Sequence, residues 1–205
     1  LEIQEHVVEQ VEGYQKIVDL ASEMTQVKGI NISIDPSWRR LSLDDLAAIR
    51  YGYTASANDN GDARFVRITD VNEYGELSSV SQKFITLDDD SKKYLLKNGD
   101  ILVARTGATF GKTMIFKEDY PAVFASYPIR LQSDQSKILP EYYWCFAQTK
   151  DYWDQANNLV TGGGQPQFNG NVLKSIQVPL PTLEKQKEIA GEFLKIRNQL
   201  INQNL

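Results

Sequence analysis

Apolar residues Val7, Val11, Tyr14, Val18 and Ala21 follow one another at steps of four, three, four and three, the a/d spacing of a helix that buries one narrow seam against another helix. Glu5, Glu9, Glu12, Gln15, Lys16 and Asp19 take the remaining faces, so the pattern predicts a helix over 3–27, roughly 38 Å long at about 1.5 Å per residue. Its apolar stripe is too narrow for a core helix. Near the other end, Ile189, Phe193, Ile196 and Leu200 repeat the spacing behind Pro179 and Pro181, prolines that suit the approach to a helix but not its interior. The two segments echo each other: Leu1, Glu2, Gln4, Val7, Val11 and Val18 recur at one constant offset as Leu183, Glu184, Gln186, Ile189, Phe193 and Leu200. A repeat confined to the edges frames one unrepeated domain between two copies of a spacer. One helix runs into that domain and the other out, so if both leave from one side they meet antiparallel and zip together. Each fully buried Val, Ile, Leu or Phe in such a seam contributes about 1.5 to 3 kcal/mol. The alternative is that each helix packs on the globular body.

Between the helices the pattern changes. Residues 29–37 form an extended linker with Ile30, Ile32 and Ile34 in alternation, ending at Pro36. Residues 42–49 predict a short helix capped by Ser42, with Asp44 and Asp45 in its first turn. Short β-rich runs follow over 64–69, 84–87, 101–105, 113–117 and 129–132, with turn pairs such as Asn60-Gly61 and Asn98-Gly99 between them. Residues 88–97 and 140–158 read as helical, the latter rich in Tyr and Trp. The expected fold is α+β: a domain over 38–178 with a curved or barrel-like sheet and helices to one side. The two long helices, over 1–28 and 179–205, flank it and form an antiparallel coiled coil.

Composition narrows the chemistry more than the fold. The 205 residues, 41% hydrophobic and 24% charged, suffice for one core with helices to spare. Apolar runs such as Ile101 to Ala104 fall far short of the ~20 residues that span a bilayer, so no membrane partner and a cytoplasmic location are expected. A single cysteine, Cys145, excludes an intrachain disulfide, and with a single histidine, His6, no His/Cys zinc site can be assembled. A Ser-His-Asp or Cys-His system would have to draw on His6, at one end of a terminal helix. The net charge of −5 excludes a general polyanion sponge, because non-specific nucleic-acid affinity comes from neutralising phosphates with Lys and Arg. Any such contact must be local.

Four patterns imitate or suggest functional motifs. Gly107-Ala-Thr-Phe-Gly111-Lys112-Thr113 is nearly a phosphate-binding loop, but it is one residue short between its glycines and β-prone Met114-Ile115-Phe116 follows instead of a helix. A tight turn between two strands is the simpler reading. Asp35-Pro36-Ser37-Trp38 resembles the motif with which amino methyltransferases hold a flipped base, yet it lacks the second proline and any Gly-rich cofactor fingerprint upstream; a turn anchored by Trp38 explains it. Asp90-Ser91-Lys92, with Asp70 upstream, has the elements of a metal nuclease, and a helix start explains the carboxylates as well. No catalytic residue and no metal ligand is assigned. The fourth pattern, Thr161-Gly-Gly-Gly-Gln165-Pro-Gln167-Phe-Asn169-Gly-Asn171, carries no acid, base or thiol. It offers backbone donors and side-chain amides of the kind that pair bidentately with adenine in the major groove, although a plain surface loop has the same composition.

The combination is more specific than its parts. Arg67-Ile-Thr-Asp70 with Gly75, the run from Tyr94 through Asn98-Gly-Asp-Ile-Leu-Val-Ala-Arg-Thr to Gly107, Gly111-Lys112, the Gly/Gln/Asn loop, Ile176-Gln-Val-Pro-Leu-Pro181 and Leu183-Glu-x-Gln186 together resemble a target-recognition domain of type I restriction-modification specificity subunits. The resemblance covers essentially the whole chain. It implies two target-recognition domains per subunit, each reading one half of a split DNA site. Antiparallel helical spacers would set the distance between them and dock a DNA methyltransferase subunit, with the restriction subunit an indirect partner. S-adenosylmethionine would belong to the methyltransferase, with no cofactor in this segment. Residues 12–18, leading into Ile34-Asp35-Pro36-Ser37-Trp38, also resemble the junction behind which a specificity region is fused to an adenine methyltransferase, so a single-chain methyltransferase is the alternative parent. A protein-binding scaffold is the rival class.

The resulting expectation is a domain that binds double-stranded DNA. Arg64, Arg67, Arg105, Lys112 and Lys174 would meet phosphates, with Thr106, Gly107 and Ser126 as neutral neighbours. Gln165, Gln167, Asn169 and Asn171 would read bases, with Tyr127 or Arg105 in a groove. The seam positions Val7, Val11, Tyr14, Val18, Ile189, Phe193, Ile196 and Leu200 would hold the coiled coil and the docking surface. A homodimer that mimics the two-domain arrangement is also expected.

Overall fold

A computed structural model describes residues 32–72, 75–160 and 168–203. The predicted helix over 1–28, with Val7, Val11, Tyr14 and Val18, lies outside the described residues, as do Gln165 and Gln167.

The linker turns at Asp35-Pro36-Ser37, where Trp38 N–H donates to the Asp35 carbonyl at 3.1 Å and the Asp35 carboxylate accepts from Ser37 N–H at 2.8 Å. Trp38 then packs against the main core, the anchored turn expected there. Strand β1 (Arg40–Ser42) pairs antiparallel with β9 (Gln177–Pro179), Leu41 opposite Val178. The incoming and outgoing ends of the domain therefore lie side by side.

Helix α1 (Leu43–Leu46) is a single turn that buries Leu43 and Leu46. The helix predicted over 42–49 stops there, because residues 47–51 become β2 (Ala47–Tyr51), paired through its whole length with β8 (Pro128–Ser133) from Ala47 opposite Ser133 to Tyr51 opposite Ile129. A five-residue ladder outweighs the weak preference of so short a helix. β8 also pairs with β5 (Ile101–Ala104), and β5 with β6 (Thr113–Ile115), giving an antiparallel sheet in the order β2-β8-β5-β6. All four residues of β5 are buried. Ile101 and Val103 join the main core, whereas Leu102 joins a second core with Met114, Phe116, Val66 and Phe124. Covered on both faces, this strand reads as a continuous apolar run.

The third sheet has β3 (Ala63–Val66) between β4 (Phe84–Ile85) and β7 (Ala122–Phe124), with β3 and β7 parallel. Its lead-in needs Gly52, where a Cβ would sit 1.9 Å from the Ala125 carbonyl oxygen. The described strands form sheets of two, four and three strands, none of which closes into a barrel. The architecture is α+β.

Two helix predictions are corrected. Over 88–97 only a 3-10 turn forms, Ser91–Tyr94. The Asp88 carboxylate accepts from Ser91 N–H at 2.6 Å, the local side-chain bond that competes with helix, and Leu96 N–H donates to the Ala122 carbonyl at 2.8 Å. Over 140–158 the helix divides into α2 (Pro140–Phe146) and α3 (Lys150–Leu159). Thr149 makes the break: its hydroxyl donates to the Phe146 carbonyl at 2.7 Å and accepts from Tyr152 N–H to cap α3. A short α4 (Gly170–Ser175) precedes β9, and α5 (Leu183–Gln203) closes the described chain. Among the described residues no helix is long and apolar enough to cross a membrane.

The first half of α5 packs on the body. Ile189 and Phe193 lie in the main core, with the Phe193 ring edge-on to Trp144 of α2 at 5.9 Å. Their contacts among the described residues are with the body, and the helix expected to pair with them lies outside the described residues. Ile196 is 42% exposed, and the side chain of Leu200 is outside the described residues. Arg197 stacks on Trp144 at 5.1 Å and bridges to Glu76 at 2.9 Å.

Candidate nucleic-acid interface

The register of the four-stranded sheet gathers three chemically telling residues at one end. β2 ends at Tyr51 opposite Ile129, and the last residue of β5, Ala104, lies opposite Pro128, the first of β8. Tyr51, Arg105 and Tyr127 therefore converge. The Arg105 guanidinium carbon lies 5.4 Å from the Tyr51 ring centroid and 6.0 Å from that of Tyr127, within cation–π reach. Both rings are open to solvent, at 46% and 61% exposure.

Two neighbours pin this end in place. Gly170 N–H donates to the Tyr51 hydroxyl at 2.9 Å, and a Cβ at Gly170 would meet that oxygen at 3.0 Å, so glycine permits the approach. Phe168 N–H donates to the Arg105 carbonyl at 2.9 Å, while the Phe168 ring is buried beside Phe110 and Tyr152. The Gly/Gln stretch of residues 161–167 ends at this anchor. Beside it, the Gly107–Gly111 segment makes the tight inter-strand turn expected, with a 3-10 turn at Gly107–Thr109 and Gly111 at φ 75°. Tyr152 donates its hydroxyl to the Gly111 carbonyl at 2.8 Å and fixes that turn to α3. Lys112 follows, exposed, its carbonyl accepting from Ala104 N–H at 2.8 Å. Thr106 and Ser126, partly exposed, flank Arg105 and Tyr127 in the chain.

Other expected phosphate contacts lie elsewhere. Arg64 is 3% exposed and donates to the Tyr120 hydroxyl at 2.7 Å and to the Ser78 carbonyl; its burial withdraws it from any backbone contact. Arg67 is held by Asp70 at 2.6 Å and by the Ser81 carbonyl. Asp70 is itself buried, so the pair is part of the structure. Lys174 bridges to Asp44 at 2.9 Å. Asn169 caps α4, its side-chain oxygen accepting from Asn171 and Val172 N–H at 3.0 and 3.1 Å; that oxygen is not free to accept from a base. Asn171 is exposed.

Sequence reasoning missed Tyr51 and Gln186. Tyr51 lies just past the helix expected over 42–49, and its aromatic ring beside Gly52 was the one signal. Gln186, fully buried, accepts from Leu139 N–H at 2.8 Å and donates to the Lys137 and Pro181 carbonyls at 2.9 and 3.0 Å. The glutamine of the repeated Leu-Glu-x-Gln motif thus ties the start of α5 to the start of α2.

The domain is mixed α+β, with a long helix leaving one end and an aromatic-flanked arginine at the end of its four-stranded sheet. Residues 37–205 match the family model of the type I restriction modification DNA specificity domain, and the chain belongs to that family. It is 26% identical over 174 residues to the specificity subunit of the type I restriction enzyme MjaVIII of Methanocaldococcus jannaschii, covering 80% of this chain and 40% of that one. The EcoBI specificity subunit of Escherichia coli is 25% identical over 181 residues, covering 83% and 37%. The crystal structure of the HsdS subunit from Thermoanaerobacter tengcongensis shares the fold, with a TM-score of 0.61 at 17% identity over 98% of this chain and 48% of that one. The chain thus spans less than half the length of these relatives.

Proposed function

We propose that this domain recognises one half of a split double-stranded DNA site for a type I restriction-modification complex and carries out no catalysis itself. The observation that carries the reading is the convergence of Arg105, Tyr51 and Tyr127 where the Gly/Gln stretch is anchored. Thr106 and Ser126 border Arg105 and Tyr127 and, with Lys112 at the same end of the sheet across from Ala104, suit phosphates, while Gln165, Gln167 and Asn171 suit base edges. The other arginines and Asn169 serve the fold.

The helices serve assembly. Ile32, Trp38, Ile189, Phe193 and Ile196 line a cavity of about 370 Å³ beside α5, and Ile32 is where the chain arrives from residues 1–28. This placement supports residues 1–28 lying antiparallel along α5, with Ile196 and Leu200 in the seam and a methyltransferase subunit docked on the pair. Methyl transfer and its S-adenosylmethionine belong to that subunit, and the restriction subunit joins through it. A second copy of this chain is the other partner that such an exposed seam suits.

The test uses the full-length parent protein with its methyltransferase subunit. Alanine at Gln165 or Gln167 should cost about 1 to 3 kcal/mol and relax one base preference. Lys112→Ala should weaken binding to all sequences alike and lower the salt slope by about one. Unchanged binding in all three variants would refute the assignment.

A further inference from the structure

The strongest unabsorbed feature is the chemistry of Arg105 itself. Among the described residues its side chain has no hydrogen-bond or ion-pair partner, and its Nε is buried without an acceptor. A buried N–H left unpaired is costly; Arg64, Arg130 and Arg197 also leave Nε without an acceptor, but each bonds a protein oxygen through a terminal guanidinium nitrogen, which Arg105 does not among the described residues. Tyr51 and Tyr127 offer Arg105 ring faces, which attract the cation but accept none of its in-plane hydrogen bonds. Tyr51 is held by Gly170, so its face of the site is fixed. A planar donor fork held between two rings is pre-organised for an acceptor pair lying in its own plane.

Resting on the proposed DNA recognition, we infer that Arg105 reads a guanine in this domain's half-site, donating to O6 and N7 in the major groove. A guanine edge supplies two adjacent acceptors matched to the guanidinium fork. A phosphate also offers two acceptors, but an exposed, jointed side chain such as Lys112 serves it without a rigid mount. Arg105 is therefore a specificity-determining residue, and Tyr51 and Tyr127 are positioning residues.

The experiment expresses the full-length parent protein with its methyltransferase subunit in a host that lacks other restriction-modification systems, and maps the methylated motif by sequencing genomic DNA. Exchanging residues 38–178 for those of another specificity subunit identifies this domain's half of the motif. If that exchange leaves the motif unchanged, the DNA-recognition reading fails, and this inference with it. If the half is identified, it should contain a guanine that Arg105→Ala and Arg105→Lys both relax, with the remaining positions kept. In vitro, 7-deazaguanine at that position, which removes N7, should slow methylation by the unaltered complex roughly 10- to 100-fold and leave the Arg105→Ala complex unaffected. A half-site without guanine, an Arg105 variant that lowers methylation of all sequences alike, or indifference of the unaltered complex to 7-deazaguanine at every guanine would each overturn the assignment. The last measurement needs no variant, so it decides the matter even if Arg105→Ala does not fold.

Discussion

Arg130 and Arg105 belong to the same four-stranded sheet, one inside β8 and the other a single residue past β5, yet their surroundings differ in kind. Arg130 is sealed: it donates to the Leu95 carbonyl at 3.0 Å, lies 3.5 Å from Asp100 and stacks over Phe124 at 5.2 Å. Burial pushes its guanidinium down and the Asp100 carboxyl up from their ordinary ranges, against the pull of each on the other. Among the described residues Arg105 has two tyrosine faces and no carboxylate. The sheet interior uses arginine to join strands of two sheets, and the sheet end holds one for something outside the chain. Residue type does not separate the two; their partners do.

The sharpest way to break this contrast is Arg130→Ala. It leaves Asp100 buried without its ion partner and should lower stability by about 3 to 5 kcal/mol in chemical denaturation, with the base preference of the surviving folded complex unchanged. Arg105→Ala should do the reverse, costing less than about 1 kcal/mol of stability while relaxing the methylated motif. Equal stability losses in the two variants would erase the distinction. Gly170→Ala should have a smaller effect: its Cβ would press on the Tyr51 hydroxyl, so the expected outcome is a modest loss of recognition with a Tm change of only a few degrees.

The smallest expected effect is on acid stability. Hydrogen bonds from Ser37, Ser91 and Ser136 hold the carboxyls of Asp35, Asp88 and Asp134 below their ordinary 3.8. The unfolded chain therefore takes up protons first, and the stability these carboxylates confer, present above 3.8, is lost as pH falls through their lowered folded values. Asp100 runs the other way: burial raises its folded value, so its contribution is fully present below 3.8 and lost as pH rises through the raised folded value. Asp59, whose carboxyl the Lys83 ammonium also lowers, joins the first three; with four carboxylates against one, Tm followed from about pH 7 to about pH 3 should fall toward acid, and Asp88→Asn should make the fall shallower. A flat profile would contradict the assignment.

The sequence pattern placed β5, β6 and β8 because each is a short β-rich run, and β5 is covered on both faces. It failed where tertiary pairing overrode local preference. Ser42, Asp44 and Asp45 begin a helix that the pattern carries on to 49, yet the fate of residues 47–51 is decided by β8, some eighty positions away, and the 88–97 segment lost its helix to side-chain bonds between Asp88 and Ser91. The site was legible to the same degree. Arg105, Lys112 and Tyr127 sit at the sheet end because register puts them there, whereas Arg64, Arg67 and Lys174 looked equivalent in sequence. Basic residues announce charge but not the partners, Tyr120, the buried Asp70 and Asp44, that neutralise or absorb them. The α5 spacing was legible only in part for a related reason: a four-three pattern shows which face is apolar but not that Trp144 of α2 meets Phe193 edge-on.

The most direct test of the central claim, that this domain selects the DNA sequence, is to exchange residues 38–178 of the full-length parent for the corresponding segment of another specificity subunit, leaving both helical spacers in place. The methylated motif is then mapped in cells. One half of the split motif should change to that of the donor while the other half and the spacing persist. An unchanged motif with methylation intact would contradict the account.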